Sequence, residues 1–222
     1  MTGVWEFGSY FGTVLRGNLQ EHLGSHAETI GLEDLPWTKL ESLGRQWLRF
    51  GRAMNLSGAR DFPTLAEHVA EGLGVVALAR QLGCAQGDRW IDVGSGAGFP
   101  GLIVAACLPV EVVLVEPRER RAAFLELMLA ELQVTGRVVR GRLEETGVQE
   151  GKGVLGSDRY GWASARAVFS PVEWIRRSQR LLAVGGITVV HLHRGDLEPA
   201  GYSPAGVVES EKWSLRGYRC ST

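Results

Sequence analysis

The residues best suited to chemistry sit in the run Trp90-Ile91-Asp92-Val93-Gly94-Ser95-Gly96-Ala97-Gly98-Phe99-Pro100-Gly101. An apolar strand pattern leads into a turn rich in glycine, and a helical pattern follows it. Glycine permits positive φ and lets a ligand approach the main chain closely. Asp92 falls where the strand ends, at the expected carboxyl edge of a sheet, and reads as an acid facing that crevice. A second acid, Glu116, closes the next strand about eighteen residues after Gly98. A carboxylate there can accept hydrogen bonds from two ribose hydroxyls. Strand-end acid, glycine turn and second strand-end acid together are more specific than a glycine motif alone.

Gly96-x-Gly98-x-x-Gly101 also fits the dinucleotide fingerprint, so the ligand class must come from the residues around it. A pyrophosphate favours free amides at a helix start, and Pro100 removes one of them. Asp92 would add negative charge beside a phosphate. S-adenosylmethionine carries a sulfonium and an ammonium and no phosphate, and it suits Asp92 better, the carboxylate holding the ammonium. The cofactor set expected around this turn is Asp92, Gly94, Ser95, Gly96 and Gly98, with Glu116 on the ribose.

The elements that must carry these residues fall into two regions. From residue 86 onward strand and helix patterns alternate. Strands are expected at Arg89–Val93, Glu111–Glu116, Gly136–Gly141, Gly161–Ala165 and Gly186–Leu192. Helices are expected at Phe99–Leu108, Arg120–Gln133 and Val172–Leu182, and a closing hairpin with Trp213 and Tyr218 follows Gly206. Such alternation implies an α/β fold, with a mostly parallel sheet covered by helices on both faces. Residues 1–85 read as a helical extension ahead of the 86–222 domain. Apolar residues from Trp37 through Trp47 to Met54, and again from Leu65 to Leu78, recur at three- and four-residue steps. Asn55-Leu56-Ser57-Gly58 reads as the turn between the two helices. Four glycines (Gly8, Gly12, Gly17 and Gly24) interrupt the helical pattern before Pro36.

The formal net charge of −1 argues against a surface that is cationic throughout. Three scattered cysteines, Cys84, Cys107 and Cys220, fit buried thiols in a reducing cytoplasm better than disulfides or a zinc site. No metal is expected, because His191 and His193 lack further ligands nearby. With no long apolar span and no signal-peptide pattern, the expectation is a soluble, cytoplasmic protein without membrane attachment.

Several short motifs in order carry a more specific likeness: Asn55-Leu56-Ser57; His68 with Glu71; Asp92 to Gly101; Glu116; Arg120-Arg121 before Phe124-Leu125; Arg142-Leu143-Glu144; and Ser164-Ala165-Arg166-Ala167. Over roughly residues 45 to 195 the chain resembles the bacterial 16S ribosomal RNA guanine-N7 methyltransferases, the family also called glucose-inhibited division protein B. The resemblance implies a Rossmann-like class I S-adenosylmethionine-dependent methyltransferase fold, and methyl transfer to guanine N7 of 16S ribosomal RNA, free or in the small subunit, by a monomer. It implies that Gly94 and Phe99 line the cofactor site, that Leu143 and Glu144 frame the adenine and that Arg166 lies at the active-site mouth, positioning the methionine end or the target base. Arg60, His68, Arg120, Arg121 and Arg194 would contact RNA, with Arg45, Arg49, Arg52 and Arg118 as further local cations. Glu71 and Glu116 stand where the family commonly has Asp, and Gly72 where serine is usual. Methyl transfer to another small molecule or a protein, a non-catalytic RNA-binding factor retaining the fold, and a nucleotide-dependent oxidoreductase are the rival readings.

Overall fold

A computed structural model describes residues 31–54, 62–144, 147–150, 153–154 and 159–221. The turn expected at Asn55–Gly58, Arg60, and every expectation for residues 1–30 lie outside them. After a 3-10 turn at Leu32–Asp34 come α1 (Trp37–Met54) and α2 (Phe62–Gln81). The alternating region follows as β1 (Arg89–Val93), α3 (Gly101–Cys107), β2 (Glu111–Val115), α4 (Glu119–Leu132) and β3 (Gly136–Val139). A small sheet is built from β4 (Gly141–Glu144), β5 (Gly147–Glu150) and β6 (Gly153–Val154). The chain then runs through β7 (Tyr160–Ser164), α5 (Pro171–Ser178), β8 (Leu182–His193), β9 (Gly206–Glu209) and β10 (Trp213–Arg219).

The main sheet has seven strands in the order β3-β2-β1-β7-β8-β10-β9. β3 through β8 in that order are parallel, and β10 and β9 join as an antiparallel hairpin against β8. The expected mostly parallel sheet is present, and the closing hairpin is part of it. From β1 the chain steps outward to β2 and β3, and on the other side from β7 to β8. β1 and β7 therefore flank the point where the strand order reverses, which is where open α/β sheets leave a crevice at their carboxyl ends.

Alternate residues on each strand divide the core in two. Trp90, Val112, Leu114, Trp162 and Val189 pack under α1 to α4. Ile91, Val93, Val113, Val115 and Val190 pack with Trp174 and Ile175 of α5 and with Leu143 and Val148 of the small sheet. Helices thus cover both faces, but four lie on one and α5 on the other among the described residues. The first two helices share the core of the α/β part.

Most element ends shift by a residue or two from the sequence expectation, and two differences are larger. α5 ends at Ser178, four residues before Leu182, because Leu181 and Leu182 are taken into strand pairing with Tyr160. The β4–β6 sheet was not foreseen. Only Arg140 separates β3 from β4, so the sequence there reads as one strand. Gly72 lies at a close contact between α2 and α3: a Cβ there would lie 2.3 Å from Ile103 Cδ1, so the isoleucine would have to shift to admit one.

Candidate functional site

The loops after β1, β2 and β7 meet at the carboxyl edge of the sheet. Gly94 N–H and Ser95 N–H both donate to Val115 O, at 2.8 and 3.0 Å, which ties the glycine turn to the end of β2. Gly96 has φ +58° and Gly98 φ +93°. A Cβ on Gly98 would meet Leu102 Cδ1 at 2.3 Å, whereas one on Gly96 would meet nothing nearer than 3.7 Å. Gly98 is therefore needed for packing and backbone together, and Gly96 leaves its side of the turn open.

That open side is the wall of a cleft of about 370 Å³ lined by Gly94, Ser95, Gly96, Phe99, Glu116, His68 and Arg166, with Arg118, Arg121 and Arg142 at its rim. A second cleft of about 390 Å³ adjoins it through Gly94, Pro117 and Arg142 and reaches Val115, Leu143, Glu144 and Phe169. Both volumes fall in the range of small-molecule sites. Glu116 Oε2 accepts Gly96 N–H and Oε1 accepts Arg118 N–H, each at 2.9 Å. A carboxylate offers about four acceptor positions, so two remain for hydroxyls of a ligand.

Asp92 is placed differently from the sequence expectation. Its side chain is 1% exposed and does not line the cleft. Oδ1 accepts Ser164 Oγ–H at 2.6 Å, and Ser164 Oγ accepts Trp90 Nε1–H at 2.8 Å. Burial pushes the Asp92 carboxyl above the ordinary aspartate range, against the hydrogen bond from Ser164. The period of two explains the placement, since Asp92 shares the inward face of β1 with Trp90. Gly98 packs beneath the turn and is not among the cleft residues.

Arg166, just after β7, is held on one edge. Its Nε and Nη2 approach Glu71 Oε2 at 2.9 and 2.7 Å, and Nη2 also donates to His68 Nδ1 at 2.9 Å. His191 Nδ1 lies 2.7 Å from Glu71 Oε1. Burial alone would raise the Glu71 carboxyl. His191, and then the Arg166 guanidinium, overcome that effect and hold it at about 2. His68 is lowered by burial and then by Arg166. Because arginine only donates, His68 Nδ1 must be the acceptor in its contact. Phe99 sits 5.4 Å from the His68 ring and 4.2 Å from Trp47, centroid to centroid, and Trp47 Nε1–H donates to Ala97 O at 2.7 Å.

Arg120 is exposed on α4 outside both clefts, and Arg194 donates to Ser210 O at 2.8 Å, also away from them. Arg45 and Arg49 are exposed on α1. Sequence reasoning missed Trp47, Ser164 and the Glu71–His191 contact as parts of the site. His68 and Glu71 are three apart on α2, a spacing that shares a helix face, and that signal was available.

The fold is similar to that of solved methyltransferases. A putative methyltransferase yhhF from Escherichia coli matches with TM-score 0.51 at 20% identity, covering 69% of this chain and 85% of that one. TrmN from Thermus thermophilus matches with TM-score 0.50 at 17% identity, over 69% of this chain and 51% of that one. Residues 37–197 match the model of the GidB family, described as rRNA small subunit methyltransferase G, and the chain belongs to that family. Among curated relatives, the ribosomal RNA small subunit methyltransferase G of Mycobacterium marinum is 39% identical over 131 residues, 55% of this chain and 57% of that protein. That of Mycolicibacterium paratuberculosis is 42% identical over 125 residues, 51% of this chain and 46% of that protein. The chain thus spans about half the length of the curated relatives it matches.

Proposed function

We propose that this chain transfers the methyl group of S-adenosylmethionine to N7 of a guanine in 16S ribosomal RNA. The observation that carries the reading is the pairing of an open Gly96 with the Glu116 carboxylate at a cleft that the first turn of α3 does not line. α3 begins after Pro100, and none of Gly101 to Ala106 lines either of the two adjoining clefts. A pyrophosphate would lack its usual cradle there, whereas ribose hydroxyls would find the two unused acceptor positions of Glu116. The residues present therefore fit the methyl donor and disfavour the dinucleotide. Gly94, Ser95, Gly96 and Phe99 would line its methionine side, and Leu143 and Glu144 the adenine. Asp92 supports the turn from within.

When bound, S-adenosylmethionine supplies a methyl group already activated by its positive sulfur. The chain's own task is alignment and exclusion of water. Guanine N7 has a lone pair and no proton, so no general base is required. Arg166, positioned at the cleft mouth, would hydrogen-bond guanine O6. His68, with its pKa lowered by burial and Arg166, adds little positive charge beside a base that becomes cationic. Arg118, Arg121 and Arg142 at the rim supply phosphate contacts to a base splayed out of its helix.

The test is mass spectrometry of 16S ribosomal RNA from a strain lacking the gene. One N7-methylguanine should disappear and return with the parent chain, but not with Glu116→Ala or Gly96→Val. An unchanged methylation pattern on deletion rules the reading out. Tritium transfer from the labelled donor to isolated small subunits, compared with a metabolite pool, separates RNA from small-molecule substrates.

A further inference from the structure

The described residues bury a polar cluster on the side of the sheet beneath α2 and α3. Asp92 and Ser164 share it with His191, which the period of two on β8 places with Val189 and not with Val190. Glu71 comes down from α2, and Arg166 leaves the end of β7 toward the cleft. The partners are far apart in sequence, so the fold alone brings them together.

Each contact has a defined direction. Glu71 is an acceptor on both oxygens, with Arg166 on Oε2 and His191 on Oε1. His191 must therefore carry its proton on Nδ1 and donate it. Arg166 uses Nε and Nη2 on Glu71 and further Nη2 hydrogen on His68 Nδ1. That arrangement fixes the plane of the guanidinium and leaves its Nη1 edge for the cleft.

Two features set this cluster apart from ordinary core packing. His191 Nε2 is buried without a hydrogen-bond partner, an arrangement that native interiors generally avoid. Ala167, next to Arg166, holds φ +57° without being glycine, and such strain gathers where a loop must aim a side chain. A well-packed apolar set would fill the same space at equal or lower cost. What an apolar set cannot do is hold a guanidinium in one orientation.

We propose that Glu71 and His191 form a positioning pair that aims Arg166 into the cleft at the incoming base; the purpose, though not the geometry, rests on the guanine-methylating reading. His191 touches neither substrate nor donor and acts through Glu71.

The test compares parent, His191→Leu, His191→Asn, Arg166→Gln and the double variant His191→Leu/Arg166→Gln. His191→Leu is expected to lower kcat on isolated small subunits on the order of ten- to a hundredfold. Calorimetric Kd for S-adenosylmethionine should stay within about twofold, since the ligand-lining residues are untouched. His191→Asn, which restores a side-chain N–H donor, should recover most of the rate. Arg166→Gln should be equally impaired with or without His191→Leu, because the pair has nothing left to aim. Independent losses that multiply in the double variant, or an unimpaired His191→Leu, would overturn the proposal. Nuclear magnetic resonance of 15N-labelled protein reads the geometry without any methyl transfer. The Arg166 Nε–H signal should exchange slowly in the parent and in His191→Asn, and rapidly in His191→Leu. If small subunits are not methylated at all, the functional reading fails, while an Arg166 signal indifferent to His191→Leu sinks the positioning pair by itself.

Discussion

At the scale of single residues, Glu71 ties the stability of the fold to pH. Its carboxyl is held at about 2 in the fold, against an ordinary value of 4.5. A depressed acid contributes stability that is full above its unfolded pKa and is lost as pH falls through the folded one. The contribution should therefore fade between about pH 4.5 and pH 2, and Glu71→Gln should melt with a shallower dependence on pH across that window. Thermal melts at half-unit steps check this, and parallel curves for the two proteins would contradict it. The two turn glycines should separate in a second experiment. Gly98→Ala meets both a positive φ and Leu102, and should cost about 2 kcal/mol of stability or more. Gly96→Ala meets open space and should cost about 1 kcal/mol, yet weaken donor binding measured by calorimetry. At this scale the sequence was partly readable. Gly96 and Glu116 were evident from spacing, because strand ends and turns are local features. Asp92 was assigned to the cleft because strand position alone does not say which face a side chain takes. The Glu71–His191 contact spans 120 positions, and only the faces of α2 and β8 hinted at it.

At the scale of elements, α1 does more than cover the sheet. Trp47 reaches from it to Ala97 in the glycine turn and stacks on Phe99. Trp47→Phe keeps a ring in place and removes the indole donor. It should cost about 0.5–1.5 kcal/mol in denaturant unfolding and weaken donor binding, since the turn loses one of its ties. An unaltered Kd would show that the turn holds its shape without the helix. Sequence reading recovered β1 to the residue and β2 to within one, because buried parallel strands such as Val112-Val113-Leu114-Val115 leave a continuous apolar run. It overran α5, whose apolar period continues into Leu181 and Leu182 although those residues pair as strand. It ran β3 on to Gly141, the first residue of β4, and foresaw none of the small sheet, because nothing local marks the single residue at which the chain changes sheets.

At the scale of the whole molecule, the fold class was readable because alternating patterns admit few topologies. The unequal clothing of the sheet was not, because the spacing of elements does not say which face each crosses. Among the described residues, four helices lie on one side, whereas α5 and the small sheet lie on the other. The net charge of −1 conceals a local imbalance, since Arg118 and Arg142 are exposed at the cleft rim. If RNA docks there, affinity for small-subunit RNA should fall with salt, and each replacement, Arg118→Gln or Arg142→Gln, should flatten the logarithmic slope by about 0.7–0.9. Filter binding across a salt series measures it, and slopes identical to the parent would place the RNA elsewhere.

The stack of Trp47 on Phe99 also equips the molecule with an internal optical reporter. The indole is screened from water, and its neighbouring ring forms part of the wall that a docked molecule would press against. Emission excited near the red edge of tryptophan absorption should change in colour or yield as the crevice fills, and the change should vanish when position 47 carries phenylalanine.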